Sequence, residues 1–101
     1  MGHFLLIYEL ADDYPARRTA FRAKHLALAW AAAERGELVL GGAAGEPSEQ
    51  AVLLFAGDGP EAAEAFARAD PYVANGLVRS WRVLPWLTVV GDDAASPVRP
   101  G

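Results

Sequence analysis

Four short apolar runs and two helical segments alternate along this chain, and their order limits the folds that it can adopt. Strands are predicted at residues 4–8, 38–40 and 51–56 and within residues 77–90, and helices at residues 15–35 and 60–70. Gly36 marks the end of the first helix, and Pro71 ends the second. A glycine-rich connection at residues 41–48 separates the middle strands, and Pro85 interrupts the last one. The order βαββαβ predicts a ferredoxin-like α+β fold.

The length of the chain, 101 residues, predicts one compact domain. Apolar residues make up 52% of the chain, which excludes a sequence too polar to fold. We assign residues 1–90 to this domain. Residues 91–101 contain Asp92, Asp93 and two prolines but few apolar side chains, so we expect a flexible C-terminal tail there.

The charge pattern limits the partners that we expect. The formal net charge is −4, and the nine Lys and Arg residues are spread along the chain, so no basic stripe predicts a nucleic-acid partner. The apolar stretches are far shorter than the roughly 20 residues that span a bilayer, and no basic region precedes an apolar segment at the N-terminus. We therefore expect no membrane association and a cytoplasmic protein. The absence of cysteine excludes disulfides and cysteine nucleophiles.

The predicted strands carry more apolar side chains than two helices can cover. The first and third strands are apolar at nearly every position, whereas two helices cover only one face of a four-stranded sheet. The last strand has apolar residues at both odd and even positions, which point to opposite faces of a sheet. Leu77, Trp81 and Val83 are expected on one face, and Val78, Leu84 and Trp86 on the other. We predict that a second copy of the chain covers the open face, which gives a homodimer. The alternative is a monomer whose open face binds a ligand or another partner.

His25 is the first candidate for chemistry. At about 100° per residue, it shares the apolar face of the first helix with Leu28 and Ala32. An imidazole on a buried face needs a hydrogen-bond partner, and Asp70 lies where the second helix ends beside the first. A carboxylate bonded to one ring nitrogen fixes the tautomer and leaves the other nitrogen free to move protons on a substrate. The residues alone leave open the alternative of two satisfied structural groups.

Two side chains near this pair are candidates for binding a small-molecule substrate. Arg22 lies one turn before His25, and its guanidinium suits an anionic or phenolate group, with a solvated arginine as the alternative. Tyr72 either offers a hydroxyl donor or packs against the helices. No cluster of His, Cys, Asp or Glu has the spacing of a metal site, and no glycine-rich turn leads from a strand into a helix. We therefore predict no metal and no cofactor.

The most specific motif is the run Ala69-Asp70-Pro71-Tyr72-Val73-Ala74-Asn75-Gly76-Leu77, which follows Arg22-Ala23-Lys24-His25-Leu26 and Gly42 and precedes Pro85-Trp86. With these motifs, residues 4–86 resemble the YciI-like (YCII-related) family. The resemblance implies a dimeric ferredoxin-like α/β barrel in which His25 and Asp70 face a pocket and Gly42 helps to shape its mouth. Some members of this family act as dehydrochlorinases on chlorinated aromatic compounds.

The sequence departs from the family at that mouth. Ala43 follows Gly42 where members often have proline, and the loop before the third strand is short. Gln50-Ala51 opens the third strand, where members carry a serine. The substrate of the characterised members is therefore not transferred to this chain.

These observations together predict a cofactor-independent lyase or isomerase. His25 would abstract or return a proton on a small organic substrate, aromatic or chlorinated compounds among them, and Asp70 would hold the imidazole ring. Arg22, Tyr72 and Gly42 are the predicted binding residues. The alternative from another class is a dimeric module that binds a small ligand or assists a partner without catalysis.

Overall fold

The protein is a four-stranded antiparallel sheet with three helices packed on one face. The computed structural model describes all 101 residues. In chain order the elements are β1 (Gly2–Leu10), α1 (Tyr14–Glu34), β2 (Leu38–Ala44), β3 (Gln50–Gly57), α2 (Glu61–Ala69), α3 (Pro71–Ala74) and β4 (Val78–Trp86). The predicted α+β class is confirmed, and α3 adds one helical turn between α2 and β4.

The strands lie in the order β2-β3-β1-β4, and every neighbouring pair is antiparallel. The central strand β1 pairs with β3 on one side and with β4 on the other, so that Phe4 lies opposite Phe55 and Pro85. Helix α1 connects β1 to β2 across β3, and the segment with α2 and α3 connects β3 to β4 across β1. Because such crossovers share one handedness, both return over the same face of the sheet.

Side chains along the strands alternate between a helix-covered face and an open face. On the covered face, Leu6, Tyr8 and Phe55 are almost completely buried in one core with residues from all three helices. On the open face, six of the alternate positions are also apolar, and no helix covers them: Leu5, Ile7, Val52, Leu54, Leu84 and Trp86. The sheet therefore has one packed face and one apolar face without a partner in the chain.

The end of α1 follows directly from the sequence. Gly36 has a φ of 80°, a left-handed conformation that glycine adopts without steric cost. The N–H of Gly36 donates to the carbonyl of Ala33, and the N–H of Glu37 donates to the carbonyl of Ala32. These two bonds form a Schellman motif, which satisfies the last carbonyls of the helix and turns the chain into β2.

Two predicted strand boundaries were wrong. β2 continues through Gly41 and Gly42 to Ala44, because these small residues pair with β3 in an extended conformation. β4 runs through Pro85 without interruption. β4 is an edge strand, and an edge tolerates a residue that has no N–H to donate.

The predicted face of Val78 was also wrong. Val78 is buried beside Leu10 in the core, not on the open face with Leu84 and Trp86. The register between β1 and β4 shifts between Glu9 and Leu10, and such an irregularity changes which side chains share a face.

The segment after β4 makes backbone hydrogen bonds within itself. The N–H of Val98 donates to the carbonyl of Val89 over 2.8 Å, and that of Ser96 donates to the carbonyl of Thr88 over 3.0 Å. The Thr88 hydroxyl lies 2.7 Å from Nδ1 of His3, which attaches this segment to the start of β1. None of the helices combines the length and the apolar character that a bilayer crossing needs.

Candidate active site

Asp70 lies in the single-residue break between α2 and α3. Pro71 disfavours a helical conformation at the preceding residue, and Asp70 accordingly has an extended backbone with a ψ of 123°. This kink lets the Asp70 carboxylate cap α3, where Oδ1 accepts the N–H of Tyr72 over 3.0 Å. The side chain is 0% exposed. A carboxylate in such a place needs several donors, because burial without hydrogen bonds is costly.

Two side chains supply the remaining donors to Asp70. The Tyr8 hydroxyl, from the centre of β1, donates to Oδ2 over 2.7 Å. Nδ1 of His25, from the middle of α1, lies 3.0 Å from Oδ1 and 2.9 Å from Oδ2. Asp70 thus collects a bond from the sheet, one from α1 and one from its own turn, and no buried polar side-chain atom lacks a partner.

The orientation of the His25 ring follows from these contacts. An ionised carboxylate only accepts hydrogen bonds, so Nδ1 carries a proton and Nε2 lies on the opposite edge of the ring. The ring stacks on Tyr72 with centroids 4.0 Å apart and planes at 9°, and it meets Phe66 edge-on. The His25 side chain is 16% exposed, and its opening is toward a cavity. Tyr72 therefore holds one face of the imidazole ring, and the buried Asp70 carboxylate holds Nδ1.

Tyr8 was not predicted as a site residue. Burial raises the pKa of Tyr8 far above the ordinary value for a phenol, and the negative charge and hydrogen bond of Asp70 raise it further. The hydroxyl therefore remains a donor to Asp70 at neutral pH. A signal was present in the sequence, because a tyrosine in the middle of a buried strand needs a hydrogen-bond partner.

A cavity of about 410 Å³ lies between α1 and the strands β2 and β3. Most of its walls are apolar, and the polar exceptions are His25, two arginines and two tyrosines. Its lining residues are Tyr14, Arg18, Arg22, His25, Leu26, Ala29, Trp30, Ala33, Leu38, Val39, Leu40, Gly41, Gly42, Ala43, Ala51, Leu53 and Tyr72. An apolar cleft with a few convergent polar groups is typical of a small-molecule site.

The charged groups that line the cavity are cationic. Arg18 and Arg22 contribute guanidinium groups, and neither Asp nor Glu is in the lining. Burial raises the pKa of the Tyr72 hydroxyl and Tyr14 adds to this, whereas the positive charges of Arg22 and Arg18 oppose it. A cavity of this kind attracts anions. No group of three or more His, Cys, Asp or Glu side chains is close enough to hold a metal ion.

The structure brings the predicted residues together. His25 and Asp70 are in direct contact, and Arg22, Tyr72 and Gly42 all lie in the cavity wall. A Cβ added at Gly42 would meet no atom within 4 Å, so this glycine leaves space at the wall instead of being required by packing. Tyr8, Tyr14 and Arg18 are the neighbours that sequence reasoning missed.

Comparison with solved structures shows the fold in other proteins. The chain is similar to 5-chloro-2-hydroxyhydroquinone dehydrochlorinase (TftG) from Burkholderia phenoliruptrix AC1100, which was solved in complex with 2,5-dihydroxybenzoquinone. The TM-score is 0.70 and the sequence identity 20%, and the match covers 85% of this chain and 94% of that chain. It is also similar to protein Atu4242 from Agrobacterium tumefaciens, with a TM-score of 0.57 and 19% identity over 94% of this chain and 98% of that chain. No curated protein matches the sequence.

The family expected from the sequence motifs is confirmed independently of these structures. The family model of the YCII-related domain matches residues 1–87, which span every strand and helix and stop just after β4. The chain therefore belongs to the YCII-related family.

Proposed function

We propose that this protein is a lyase or isomerase that works by acid–base catalysis on a small organic anion. One observation carries the proposal: buried Asp70 holds Nδ1 of His25 at 2.9 Å, while the opposite ring nitrogen is left for the cavity. His25 is the proposed base that removes a proton from carbon, and Asp70 is the residue that positions it. The dehydrochlorinase named among the similar structures supports a lyase-type reaction.

The proton on Nδ1 determines what Nε2 can do. With Nδ1–H bonded to the carboxylate, Nε2 of the neutral ring carries a lone pair and accepts a proton from the substrate. The ring then becomes an imidazolium, and its positive charge is formed beside the negative charge of Asp70. Positioned acid–base catalysis of this kind contributes roughly 10²- to 10⁴-fold to a rate.

Arg22 is the proposed partner of the negative charge that develops on the substrate. When His25 removes a proton from carbon, the electron pair moves into a phenolate or enolate oxygen, and a guanidinium fork stabilises that oxygen. In an elimination, the same electron pair then forms a carbon–carbon double bond while chloride leaves with the bonding pair. In an isomerisation, the protonated His25 returns the proton at another carbon.

We further propose that the domain is ferredoxin-like and works as a homodimer joined through the open face of the sheet. The element order and the strand order β2-β3-β1-β4 support the first point. The second is supported by the apolar side chains of the open face, where Leu84 is 41% and Trp86 46% exposed. A second copy offers the same apolar sheet, and a two-fold axis lets each copy cover the other.

The test is a turnover assay with 5-chloro-2-hydroxyhydroquinone and a panel of small carbon acids in deuterated water. Chloride release and deuterium incorporation are measured for the native protein, for His25→Ala and for His3→Ala. His3 is the matched control because it is the other histidine of the chain and bonds to Thr88 outside the cavity. We expect His25→Ala to lose at least roughly 100-fold in rate and His3→Ala to keep full activity.

Folding is checked by circular dichroism for each variant. If His25→Ala is unfolded, His25→Gln replaces it, because glutamine keeps an N–H donor for Asp70 but is not a base. Turnover that survives the loss of His25 contradicts the proposal. A native protein that binds panel compounds without chloride release or exchange is a binding module instead.

A further inference from the structure

Two tyrosines of the cavity wall have hydroxyl groups without a partner in the protein. Tyr14 is 6% and Tyr72 4% exposed, yet neither hydroxyl takes part in any side-chain hydrogen bond. Every fully enclosed polar side-chain atom of the protein has a hydrogen-bond partner. Because these two hydroxyl oxygens have none, both must be in contact with open space. The open space that both residues line is the cavity. Their rings are fixed, since they meet edge-on with centroids 5.7 Å apart and Tyr72 also stacks on His25.

Two arginines of the same wall also lack a partner. Arg17, Arg35 and Arg82 each form an ion pair with a carboxylate outside the cavity. Arg18 and Arg22, one turn apart on α1, form none. The Arg18 guanidinium lies 5.8 Å from the centre of the Tyr14 ring. Both arginines act on the Tyr72 hydroxyl, because their positive charges lower its pKa against the effect of burial.

We propose that Tyr14, Arg18, Arg22 and Tyr72 form an anion subsite that binds a carboxylate group of the ligand. Two hydroxyl donors and two guanidinium groups converge on one region that contains no protein anion. The assignment of this ligand as the substrate rests on the proposed function. The subsite itself requires only that the protein binds a carboxylate, with or without a reaction. The ligand class is a small organic carboxylate whose apolar body occupies the rest of a 410 Å³ cavity.

The spacing along α1 indicates where the reacting carbon lies relative to the carboxylate. Arg18 precedes His25 by seven residues, which is about 10 Å along a helix, and Arg22 lies between them. A carboxylate bound by Arg18 is therefore at the end of the subsite away from the proposed base, whereas Tyr72 lies against the ring of His25. Because Arg22 lies between these two residues along α1, we assign it both to binding and to charge stabilisation during the reaction.

The donors favour a carboxylate over a phosphate and over a neutral phenol. Phosphate sites usually add backbone N–H groups at a helix N-terminus or in a glycine-rich loop, whereas the donors of this subsite are the side chains of two tyrosines and two arginines. A neutral ligand would gain no charge-assisted hydrogen bond from the two guanidinium groups. A planar carboxylate suits both the guanidinium fork and the hydroxyl donors.

Binding measurements test the subsite without any need for turnover. Benzoate, benzamide and inorganic phosphate are titrated into the protein by isothermal calorimetry, benzamide being the neutral analogue of benzoate. We expect benzoate to bind at least about 10-fold more tightly than benzamide or phosphate, because a charge-assisted hydrogen bond is stronger than a neutral one. Equal affinity for benzoate and benzamide, tighter binding of phosphate or no binding of benzoate overturns the proposal.

Variants locate the binding to these residues. Arg18→Gln and the double variant Tyr14→Phe/Tyr72→Phe are each expected to weaken benzoate binding roughly 10-fold, because each removes donors to the anion and the second keeps both rings. Lys24→Gln is the matched control, since it removes one positive charge from α1 at a position outside the cavity lining. If Lys24→Gln weakens binding as much as Arg18→Gln, the effect is one of net charge and the subsite is wrong. A protein that binds benzoate as expected but fails the turnover assay keeps the subsite and loses the proposed catalysis.

Discussion

The two faces of the sheet carry similar apolar side chains but differ in what the chain does with them. On the covered face, Leu6 and Phe55 are buried, and the same layer encloses Asp70 with all of its donors. On the open face, Leu84 is 41% and Trp86 46% exposed although both belong to β4. The difference indicates that the helices supply enough burial to hold one charged group, whereas the open face has no cover within the chain and is the surface of the proposed homodimer.

The largest effect is expected from removal of the charged group on the covered face. Asp70→Ala leaves the Tyr8 hydroxyl, Nδ1 of His25 and the N–H of Tyr72 without an acceptor. Since each unsatisfied buried donor costs about 1–3 kcal/mol, we expect the free energy of unfolding to fall by about 3 kcal/mol or more in urea denaturation. Asp58→Ala, on an exposed loop, is the control and is expected to change it by less than about 0.5 kcal/mol. Equal stability of the two variants would falsify the role of Asp70 as the centre of this layer.

A charge on the open face tests whether a second copy covers it. Leu54→Glu places two like charges near each other across a two-fold axis, so we expect the dimer dissociation constant to rise at least roughly 100-fold, or about 2.7 kcal/mol, in sedimentation equilibrium. Ala20→Glu adds the same charge at an exposed site of α1 and is expected to leave the dimer intact. A native chain that sediments as a monomer at micromolar concentration contradicts the proposed homodimer.

A smaller change is expected when Asp70 keeps its charge but loses one donor. Tyr8→Phe removes the hydroxyl that donates to Oδ2 over 2.7 Å and preserves the ring. Hydrogen bonds to charged groups contribute about 1.5–3 kcal/mol, so the loss of stability should lie in this range and below that of Asp70→Ala. Because Tyr8 does not line the cavity, kcat should fall with little change in KM. An increase in KM alone would show that Tyr8 acts on substrate binding instead.

The smallest effect is expected from alkaline pH. The pKa of Tyr8 is raised in the folded protein mainly by burial, whereas an unfolded tyrosine has a pKa of about 10. The folded state therefore holds this proton more tightly, and its contribution to stability is complete below pH 10 and lost as the pH rises through the folded pKa. Between pH 10 and pH 11 the native protein should lose about 1 kcal/mol more than Tyr8→Phe. If the free energy of unfolding falls equally in both proteins between pH 10 and pH 11, folding does not raise the pKa of Tyr8.

Local signals predicted most of the fold. The glycine after α1 and the proline after Asp70 fixed the ends of the helices, because both residues restrict the backbone wherever they occur. The strand boundaries at Gly42 and Pro85 were missed because their conformation depends on pairing, and pairing is a property of the assembled sheet. The face of Val78 was missed for the same reason, since no local pattern indicates a register shift.

The site was predictable only in part. His25 and Asp70 were recognised because a histidine on a buried helix face needs a partner and because the Asp-Pro-Tyr motif is specific. Tyr8 and Tyr14 were missed because their hydroxyl groups gain a role only in the folded chain, where β1 lies beside Asp70 and α1 borders the cavity. Arg18 was missed because spacing on a helix does not show which arginines have acidic partners.

The tautomer of His25 tests the proposed base most directly. Long-range proton–nitrogen NMR distinguishes a protonated ring nitrogen from one with a lone pair, and the spectrum of His3→Ala assigns the His25 signals because the chain has two histidines. For the neutral ring we expect a proton on Nδ1 and a lone pair on Nε2, and a loss of this preference in Asp70→Asn. A neutral His25 with its proton on Nε2 would leave no base facing the cavity and would contradict the proposed mechanism.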